Sequence, residues 1–272
     1  MRAALVYGPC DPQVDTSTIA PQEISQQPAP TEQPLRPLRK QRFGDIDVVL
    51  VGKHEPGPLV VLLHGYGAPA TDLTGLAERL VVPEGVTLAF PGAPLSVPEL
   101  GPDARAWWPI DLARLQADYL TGRGAELWRR EPAGLDVARG KILHMLAALL
   151  QETRSPPHQL LLGGFSQGAI LACDVAFRSP HPLGGLIVLS GAPVAEDAWK
   201  QGLSLRCGLP VFQSHGTLDP ILPLEAGSHL RTLMDDGGLS VHFERFAGGH
   251  GIAPGVVDQL GAFATRILSQ AS

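Results

Sequence analysis

Two patterns of hydrophobic and polar positions alternate along the chain from about residue 45 onward. Short, continuous apolar runs such as "PLVVLLHG" (58–65) and "LGGLIVLSG" (183–191) are typical of strands that are buried on both faces of a sheet. Longer segments such as "AGLDVARGKILHMLAALLQET" (133–153) carry apolar residues at every third or fourth position, which predicts helices. Strands that alternate with helices predict an α/β fold in which a mainly parallel sheet is covered by helices on both faces.

The predicted elements cover most of the chain after this point. The predicted strands are 45–52, 58–65, 86–92, 158–164, 183–191, 209–216 and 240–246. The predicted helices are 71–80, 133–153, 166–178, 225–236 and 254–270. In sheets of this kind, active sites lie beyond the carboxyl ends of the strands. Functional side chains are therefore expected in the loops that follow the strands.

The N-terminal part of the chain lacks either pattern. Residues 11–40 are rich in proline and glutamine and show no periodicity. Such a composition cannot bury enough apolar surface to order itself. We therefore expect residues 1–41 to form a disordered or arm-like segment and residues 42–272 to form one folded domain.

A second segment, residues 95–132, interrupts the alternation of strands and helices. It carries three of the four tryptophans of the chain, Trp107, Trp108 and Trp128. Two interpretations are open: an insertion that packs its own small core, or a cap or pocket wall over the strand ends. The walls of binding pockets consist mainly of apolar and aromatic side chains. The segment can therefore pack a small core and form a pocket wall at the same time.

Composition and charge narrow the class of partner and the cellular location. A formal net charge of −6 and a pI near 5.8 argue against nucleic acid or an anionic membrane as the main partner. No apolar stretch approaches the ~20 residues of a membrane span, and "MRAALVYGPC" is too short in apolar residues for a secretory signal. Cys10, Cys173 and Cys207 form no metal spacing and cannot all pair. A cytoplasmic protein with a buried Cys173 thiol is expected.

The first candidate for chemistry is the stretch "LLLGGFSQGA", in which an apolar run stops at glycines and restarts around Ser166. A buried strand that ends in a tight turn would also use small residues here. The pattern Gly-Phe-Ser-Gln-Gly, however, is that of a nucleophile elbow, in which a strand turns sharply into a helix and exposes a serine hydroxyl. Five positions are a weak signal alone, so the surrounding sequence decides.

The histidine that could activate Ser166 is identified by position, because the chain has nine histidines. A nucleophilic serine needs a base within hydrogen-bond reach and an acid that orients the base. His250 lies in "FAGGHGIAP", just past the last predicted strand. Asp219, in "FQSHGTLDPILP", follows another buried strand, which completes the chain order serine, acid, histidine. His215 is assigned to the strand end, and the best substitute acid, Asp197, is expected to begin a helix.

An oxyanion hole is the fourth feature that acyl transfer requires, because negative charge develops on the carbonyl oxygen in the transition state. The stretch "LLHGYGAPATDL" follows the first long buried strand, and there it can present the backbone amide of Tyr66. The amide of Gln167, at the start of the helix after the elbow, can supply the second donor. A lone His-Gly pair is a weak signal, but this one lies in the right place.

Taken in chain order, these motifs resemble those of the phospholipase/carboxylesterase family of α/β hydrolases, which includes acyl-protein thioesterases and bacterial carboxylesterases. The stretches that carry the resemblance are "LLHGYGA", "FPGAP", "RAWWPID", "GGFSQGA", "HGTLDPILP" and "GGHGI". They are spread over most of the predicted domain. The resemblance implies an α/β-hydrolase fold with Ser166 as nucleophile, Asp219 as orienting acid, His250 as base, and the amides of Tyr66 and Gln167 as oxyanion donors.

The resemblance also implies the activity, a serine carboxylesterase that needs no cofactor or metal. Short-to-medium acyl esters are the expected substrates, because no long exposed apolar lid is evident. Thioesters of acylated proteins and lysophospholipids are the alternative substrates within the family. A catalytically inactive hydrolase fold that serves as a binding module is the alternative from another class, and it is disfavoured because all three candidate residues are present.

The path from the "RAW" motif to the next helix is longer here than is usual in the family, which bears on substrate preference. We assign Trp107, Trp108 and Ile221 to the substrate pocket. The expected partner is a small-molecule ester, with neither nucleic acid nor stable membrane insertion. A homodimer is also compatible with the resemblance, because dimers are common in the family.

Overall fold

The computed structural model describes residues 37–53 and 55–270. The strands are β1 (Leu38–Phe43), β2 (Ile46–Val51), β3 (Leu59–Leu63), β4 (Thr87–Pro91), β5 (Leu95–Ser96), β6 (Arg105–Ala106), β7 (Leu160–Phe165), β8 (Gly185–Leu189), β9 (Pro210–Gly216) and β10 (Ser240–Phe246). The helices are α1 (Leu76–Arg79), α2 (Leu112–Leu120), α3 (Gly124–Arg129), α4 (Leu135–Thr153), α5 (Gln167–Arg178), α6 (Glu196–Leu203), α7 (Leu224–Asp236) and α8 (Pro254–Gln270). Short 3-10 turns cover Asp72–Gly75, Pro98–Leu100, Pro157–Gln159 and Ser204–Arg206.

One sheet of eight strands, in the order β1-β2-β4-β3-β7-β8-β9-β10, organises the molecule. The two pairings at the β1 edge are antiparallel, and all pairings from β4 to β10 are parallel. This is the mainly parallel sheet that the alternating pattern predicts. Because β3, β7, β8, β9 and β10 run in the same direction, the loops after them meet at one edge of the sheet.

Helices cover both faces of the sheet, and two hydrophobic cores result. Alternate side chains of β3 enter different cores: Leu59, Val61 and Leu63 pack with α4, α5, α6 and α7, whereas Val60 and Leu62 pack with α1 and α8. All five residues are buried. A strand buried on both faces needs apolar side chains at every position, which explains the continuous run "LVVLL".

Two boundaries differ from the sequence prediction. The sheet begins at Leu38, inside the segment that was assigned to the arm, because β1 pairs with β2 along its whole length and completes the antiparallel edge. The rest of the predicted arm lies outside the described residues. The helix predicted over 71–80 is a 3-10 turn followed by the single helical turn α1.

The segment 95–132 folds as the hairpin β5-β6 followed by α2 and α3. Trp107 and Trp108 are almost fully buried and belong to the main core beside α4 and α5, so they do not form a core of their own. Only Val97, Ala104 and Ala106, in the hairpin region, make a small separate cluster. The insertion is therefore continuous with the domain core.

Candidate active site

Ser166 lies in the sharp turn between β7 and α5. Its backbone has a φ of +54° and a ψ of −118°, a conformation that non-glycine residues rarely adopt. The flanking glycines make the turn possible, because a Cβ at Gly164 or Gly168 would collide with the backbone carbonyl of Leu63 on the neighbouring strand β3. The strand–turn–helix context expected for the elbow is therefore present.

The structure brings Ser166, His250 and Asp219 together, although each follows a different strand. The Oγ of Ser166 lies 2.9 Å from Nε2 of His250, and Nδ1 of His250 lies 2.6 Å from Oδ2 of Asp219. With the carboxylate as acceptor, Nδ1 carries the proton and Nε2 is free to accept from the serine hydroxyl. This is the geometry in which a histidine can act as a base toward serine.

The carboxylate of Asp219 is held rigidly. Its other oxygen, Oδ1, accepts hydrogen bonds of 2.9 Å from the amides of Ile221 and Leu222. Burial alone would raise the pKa of Asp219, but the hydrogen bonds from His250, Leu222 and Ile221 outweigh it and hold the pKa below its ordinary value. The group is therefore an anion at neutral pH and faces the imidazole of His250.

The loop after β3 lies directly beside the elbow. Leu63 pairs with Gly164 where β3 lies beside β7, so the residues that follow these two strands leave the sheet next to each other. A Cβ at Gly65 would contact the side chains of Phe165 and Ser166 at 3.2 and 3.4 Å. The amide of Gln167, the first residue of α5, has no acceptor within its helix. The amide of Gln167 thus directly follows the serine, and the loop that carries the candidate donor Tyr66 packs against the elbow at Gly65.

A network of side chains that the sequence did not reveal fixes this loop. His64 accepts the amide hydrogen of Ala93 at Nε2 (3.0 Å) and donates from Nδ1 to the carbonyl of Gly65 (2.8 Å). These bonds require the neutral ring, and burial lowers the pKa of His64. The indole nitrogen of Trp107 donates to the carbonyl of His64 at 2.9 Å. The loop is therefore bound from two sides.

Gln167 connects the elbow to the insertion through its buried side chain. Its Oε1 accepts from the amide of Trp107 at 2.9 Å, and its Nε2 donates to the carbonyl of Trp108 at 2.7 Å. The sequence identified only the backbone amide of Gln167. Because these contacts join residues about sixty positions apart, no local signal could have indicated them.

Replacing Trp107 by phenylalanine tests the role of this network. The ring volume is largely kept, but the hydrogen bond to the carbonyl of His64 is lost, so the loop that carries Tyr66 is less well fixed. We expect kcat to fall about tenfold with KM nearly unchanged, less than the ~10²–10³-fold cost of removing an oxyanion donor itself. Steady-state kinetics on a chromogenic ester measure this, and an unchanged kcat would contradict the assigned role.

A cavity of about 220 Å³ is lined by residues of the insertion and by sequence neighbours of the candidate triad, although none of the three triad residues lines it. Three of its wall residues are bonded to the site: the amide of Ile170 donates to the carbonyl of Ser166, Leu222 donates to Asp219, and Trp108 accepts from Gln167. The outer wall comes from the insertion and includes Leu115, Tyr119 and Leu127. Most of the lining is apolar.

The outer wall also carries the half-buried phenol of Tyr119. Burial raises the pKa of the Tyr119 phenol, and the negative charge of Asp219 adds to this rise. Both acidic side chains in the wall are bound by other groups of the protein. Asp118 binds Arg123 with two hydrogen bonds of 2.9 and 2.6 Å, and Asp111 caps α2 by accepting the amide of Arg114. The interior of the cavity is therefore mainly apolar, with Arg114 and Arg130 as basic residues of its lining.

Of the three residues that were assigned to the substrate pocket, one lines this cavity. Trp108 lines the cavity, but among the described residues of the lining neither Trp107 nor Ile221 is present. The indole of Trp107 is turned toward His64, with ring centroids 5.3 Å apart. The side chain of Ile221 is partly buried against the main core. Its backbone amide donates a hydrogen bond to the carboxylate of Asp219 and so helps to hold the acid in place.

The sequence also predicts that the protein has no metal site and no membrane-spanning segment, and that Cys173 is buried. Among the described residues, no cluster of three metal-ligating side chains is found. No helix in residues 37–53 and 55–270 is long and apolar enough to cross a membrane. Cys173 is fully buried in α5, as predicted, and burial raises the pKa of its thiol. Asp197 lies in the first turn of α6, which also agrees with the prediction.

Comparison with known proteins gives the family. A sequence model of the phospholipase/carboxylesterase family matches residues 45–267. The chain belongs to this family. Acyl-protein thioesterase 1 of Eremothecium gossypii is 29% identical over 215 residues, which cover 75% of this chain and 85% of the relative. Acyl-protein thioesterase 1 homolog 1 of Dictyostelium discoideum is 26% identical over 216 residues, 77% of this chain and 90% of the relative.

Solved structures agree with this membership. The crystal structure of esterase PE8 is 29% identical, with a TM-score of 0.68 over 80% of this chain and 97% of that chain. The carboxylesterase of Bacillus cereus, at 19% identity, has a TM-score of 0.63 over 82% of this chain and 94% of that chain, and supports the fold. As a member of the phospholipase/carboxylesterase family, the chain has the predicted α/β-hydrolase fold and is a hydrolase.

Proposed function

We propose that this member of the family is a serine carboxylesterase that forms an acyl-enzyme on Ser166. The observation that carries the proposal is the continuous hydrogen-bonded series from Ser166 through His250 to Asp219. An inactive binding module would need no such series. The strained elbow and the buried, ionised acid support the same interpretation, because both hold the nucleophile and base in one geometry.

The proposed reaction proceeds in two acyl transfers. Nε2 of His250 takes the proton of Ser166 as Oγ attacks the ester carbonyl, and the amides of Tyr66 and Gln167 stabilise the oxyanion. The intermediate collapses, and the leaving alkoxide takes the proton from His250 and departs as the alcohol. Water then attacks the acyl-enzyme, with His250 again accepting a proton, and the acid is released while Ser166 regains its hydrogen. Asp219 stabilises the imidazolium in both steps.

Short-to-medium acyl groups are the proposed substrates, bound in the cavity that Trp108 and other residues of the insertion line. Its volume of about 220 Å³ is smaller than the ~300–1,000 Å³ of pockets for drug-sized ligands. A mainly apolar wall, to which Ile170 one helical turn after Ser166 contributes, suits the alkyl part of an acyl group rather than a charged one. Burial of each methylene contributes about 0.8 kcal/mol, so the length of the cavity determines the preferred chain.

Replacing Trp108 by alanine tests this assignment. Trp108 offers its carbonyl to Gln167 and also lines the cavity. The change removes the indole from the cavity wall, so discrimination between acyl chains should change. One methylene contributes about 1–3 kcal/mol to discrimination, and we therefore expect roughly a tenfold or greater shift in the kcat/KM ratio between butanoyl and octanoyl esters. Steady-state kinetics with both esters measure the ratio.

A matched control comes from the same insertion. Leu120 is exposed on α2 and outside the lining, so Leu120→Ala should keep the wild-type ratio. If Trp108→Ala lowers the melting temperature but keeps the wild-type chain-length profile, the tryptophan is structural and the pocket assignment fails.

Thioesters of acylated proteins and lysophospholipids are the second candidate substrates. The relatives named acyl-protein thioesterase 1 match over most of their length, which favours this alternative specifically. The test is one activity panel of acyl chain lengths on oxygen esters and thioesters, with a lysophospholipid included and a serine-reactive phosphonate as control. Preference for short oxygen esters supports the main proposal; preference for thioesters or lysophospholipid supports the alternative.

No cofactor enters the proposed mechanism, since every proton transfer is assigned to a side chain of the chain itself. A small-molecule ester is the proposed partner. The cytoplasmic location and the homodimer stay predictions from the sequence.

A further inference from the structure

His215 is a buried, titratable side chain that the proposed mechanism does not use. It lies near the end of β9 and is fully buried. Its Nε2 lies 2.8 Å from the carbonyl oxygen of Leu222 and 3.5 Å from Oδ2 of Asp219. The carbonyl can only accept, so Nε2 carries the hydrogen and donates it.

This hydrogen bond holds the loop that carries the acid. The amides of Leu222 and Ile221 bind Oδ1 of Asp219, and the carbonyl of the same Leu222 is bound by His215. The loop is thereby connected to the rigid strand β9 at the residue that grips the carboxylate. Without that bond, the loop from Asp219 to Leu222 would lose its side-chain hydrogen bond to β9 and keep only its packing against the main core and the bonds around Asp219.

The surroundings of His215 favour a neutral ring. Its Nδ1 is buried and has no hydrogen-bond partner among the described residues, and Gly227 of α7 packs against it so closely that a Cβ there would collide with the ring. A proton on Nδ1 would be a buried charge without an acceptor. Burial lowers the pKa of His215 by more than the hydrogen bond to Leu222 and the negative charges of Asp219 and Glu225 raise it.

The charge state of His215 affects Asp219, because the imidazoles of His215 and His250 both lie near one oxygen of its carboxylate. Oδ2 accepts from His250 at 2.6 Å and lies 3.5 Å from Nε2 of His215. If His215 were a cation, it would compete for the carboxylate and repel the imidazolium that forms at His250 during turnover. A neutral N–H donor fixes the loop without competing with His250 for the negative charge of Asp219.

We propose that His215 is a positioning residue, which acts on catalysis by anchoring the Asp219–Leu222 loop so that Asp219 is aligned with His250. This inference rests on the proposed serine hydrolase function. It assigns no contact with substrate to His215. The effect should appear in the activation of Ser166 and should leave substrate binding in the cavity unchanged.

Three substitutions test the inference on the full chain. His215→Met removes the donor at similar volume, and His215→Asn keeps a polar group that is too short to reach Leu222. His215→Gln keeps an amide donor at about the distance of Nε2 and cannot be charged. We expect His215→Met and His215→Asn to lower kcat by about tenfold to hundredfold with little change in KM, because misplacement by ~1 Å costs about this much. His215→Gln should stay within a few-fold of wild type.

Gln213 provides the matched control. It is two residues earlier on β9, faces the same side, is equally buried, and donates to the carbonyl of Gly227 without touching the acid loop. Gln213→Met should lower the melting temperature about as much as His215→Met, yet leave kcat within a few-fold of wild type. If both substitutions lower kcat equally, general damage to β9 explains the loss and the inference fails.

The decisive measurement is whether the losses of kcat caused by substituting His215 and Asp219 depend on each other. In an Asp219→Asn background, His215→Met should cost less than threefold in kcat, because the group through which it acts is already impaired. Full additivity of the two losses would overturn the inference. If His215→Met does not fold, the comparison of His215→Asn with His215→Gln in both backgrounds gives the same decision.

A second readout separates this inference from the proposed function. The rate at which a phosphonate labels Ser166 depends on activation of the serine and needs no natural substrate. Absence of labelling in the wild type would refute the serine hydrolase proposal itself. Rapid labelling in the wild type with an equal rate in His215→Met and His215→Asn would refute only the positioning role.

Discussion

Replacing Ser166 by alanine is expected to abolish turnover while the protein stays folded. The Oγ of Ser166 is the atom that the base His250 contacts at 2.9 Å, and no other nucleophile replaces it at the elbow. Loss of the nucleophile of a triad lowers kcat by roughly 10⁶-fold. Only a hydroxyl at a turn is removed, so the melting temperature should change by no more than about 2 °C. Ester hydrolysis and thermal unfolding measure the two effects.

Intact mass after treatment with a phosphonate identifies the nucleophile directly. The wild type should gain one adduct, peptide mapping should place it on Ser166, and Ser166→Ala should gain none. Ser190 is the matched control, because it follows the neighbouring strand β8 and also has a positive φ, of +50°. Its Oγ, however, is directed at the carbonyl of Gly251. Ser190→Ala should still be labelled on Ser166, and an adduct on Ser190 in the wild type would refute the assignment.

Replacing His250 by alanine is expected to be nearly as damaging as replacing Ser166. Triad members act as a unit, so the double substitution Ser166→Ala with His250→Ala should be no slower than either single one. Asp219→Asn should lower kcat by roughly 10⁴-fold, since the amide favours the wrong tautomer of the imidazole and cannot stabilise its cation. Single-turnover and steady-state kinetics on the same ester give these factors.

His242 supplies the control for the base. It lies on β10, the strand that leads to His250, and its ring contacts Gln259 at the surface. His242→Ala should keep wild-type kcat. Near-normal activity in His250→Ala, together with a loss in His215→Ala as great as that in Ser166→Ala, would show that the wrong histidine was assigned as base.

Much of the fold could be predicted because it is encoded locally. The continuous run of β3 and the three-to-four spacing of α4 are visible within single windows of the sequence, and both elements are present at nearly the predicted positions. The edge strand β1 was not predicted. Its exposed and half-buried positions alternate, and its neighbours are rich in proline, so only its pairing with β2 reveals it.

The sequence by itself determined the candidates for the triad. Ser166, Asp219 and His250 each follow a different predicted strand, and parallel strands end at one edge of a sheet, so order and position sufficed to select them. The sequence could not divide the roles of Trp107 and Trp108. Adjacent and identical in type, they differ only in what they meet: His64 in one case and the cavity in the other.

Only the tertiary structure decided which side chains hold the site in place. Trp107 reaches a carbonyl 43 residues away, and Gln167 reaches one 59 residues away. His215 meets its partner across just 7 residues, but whether a histidine at a strand end points toward the acid loop or away from it depends on how β9 packs against α7. Periodicity records which face of an element is buried, whereas hydrogen bonds between distant loops depend on distances that exist only after the sheet has assembled.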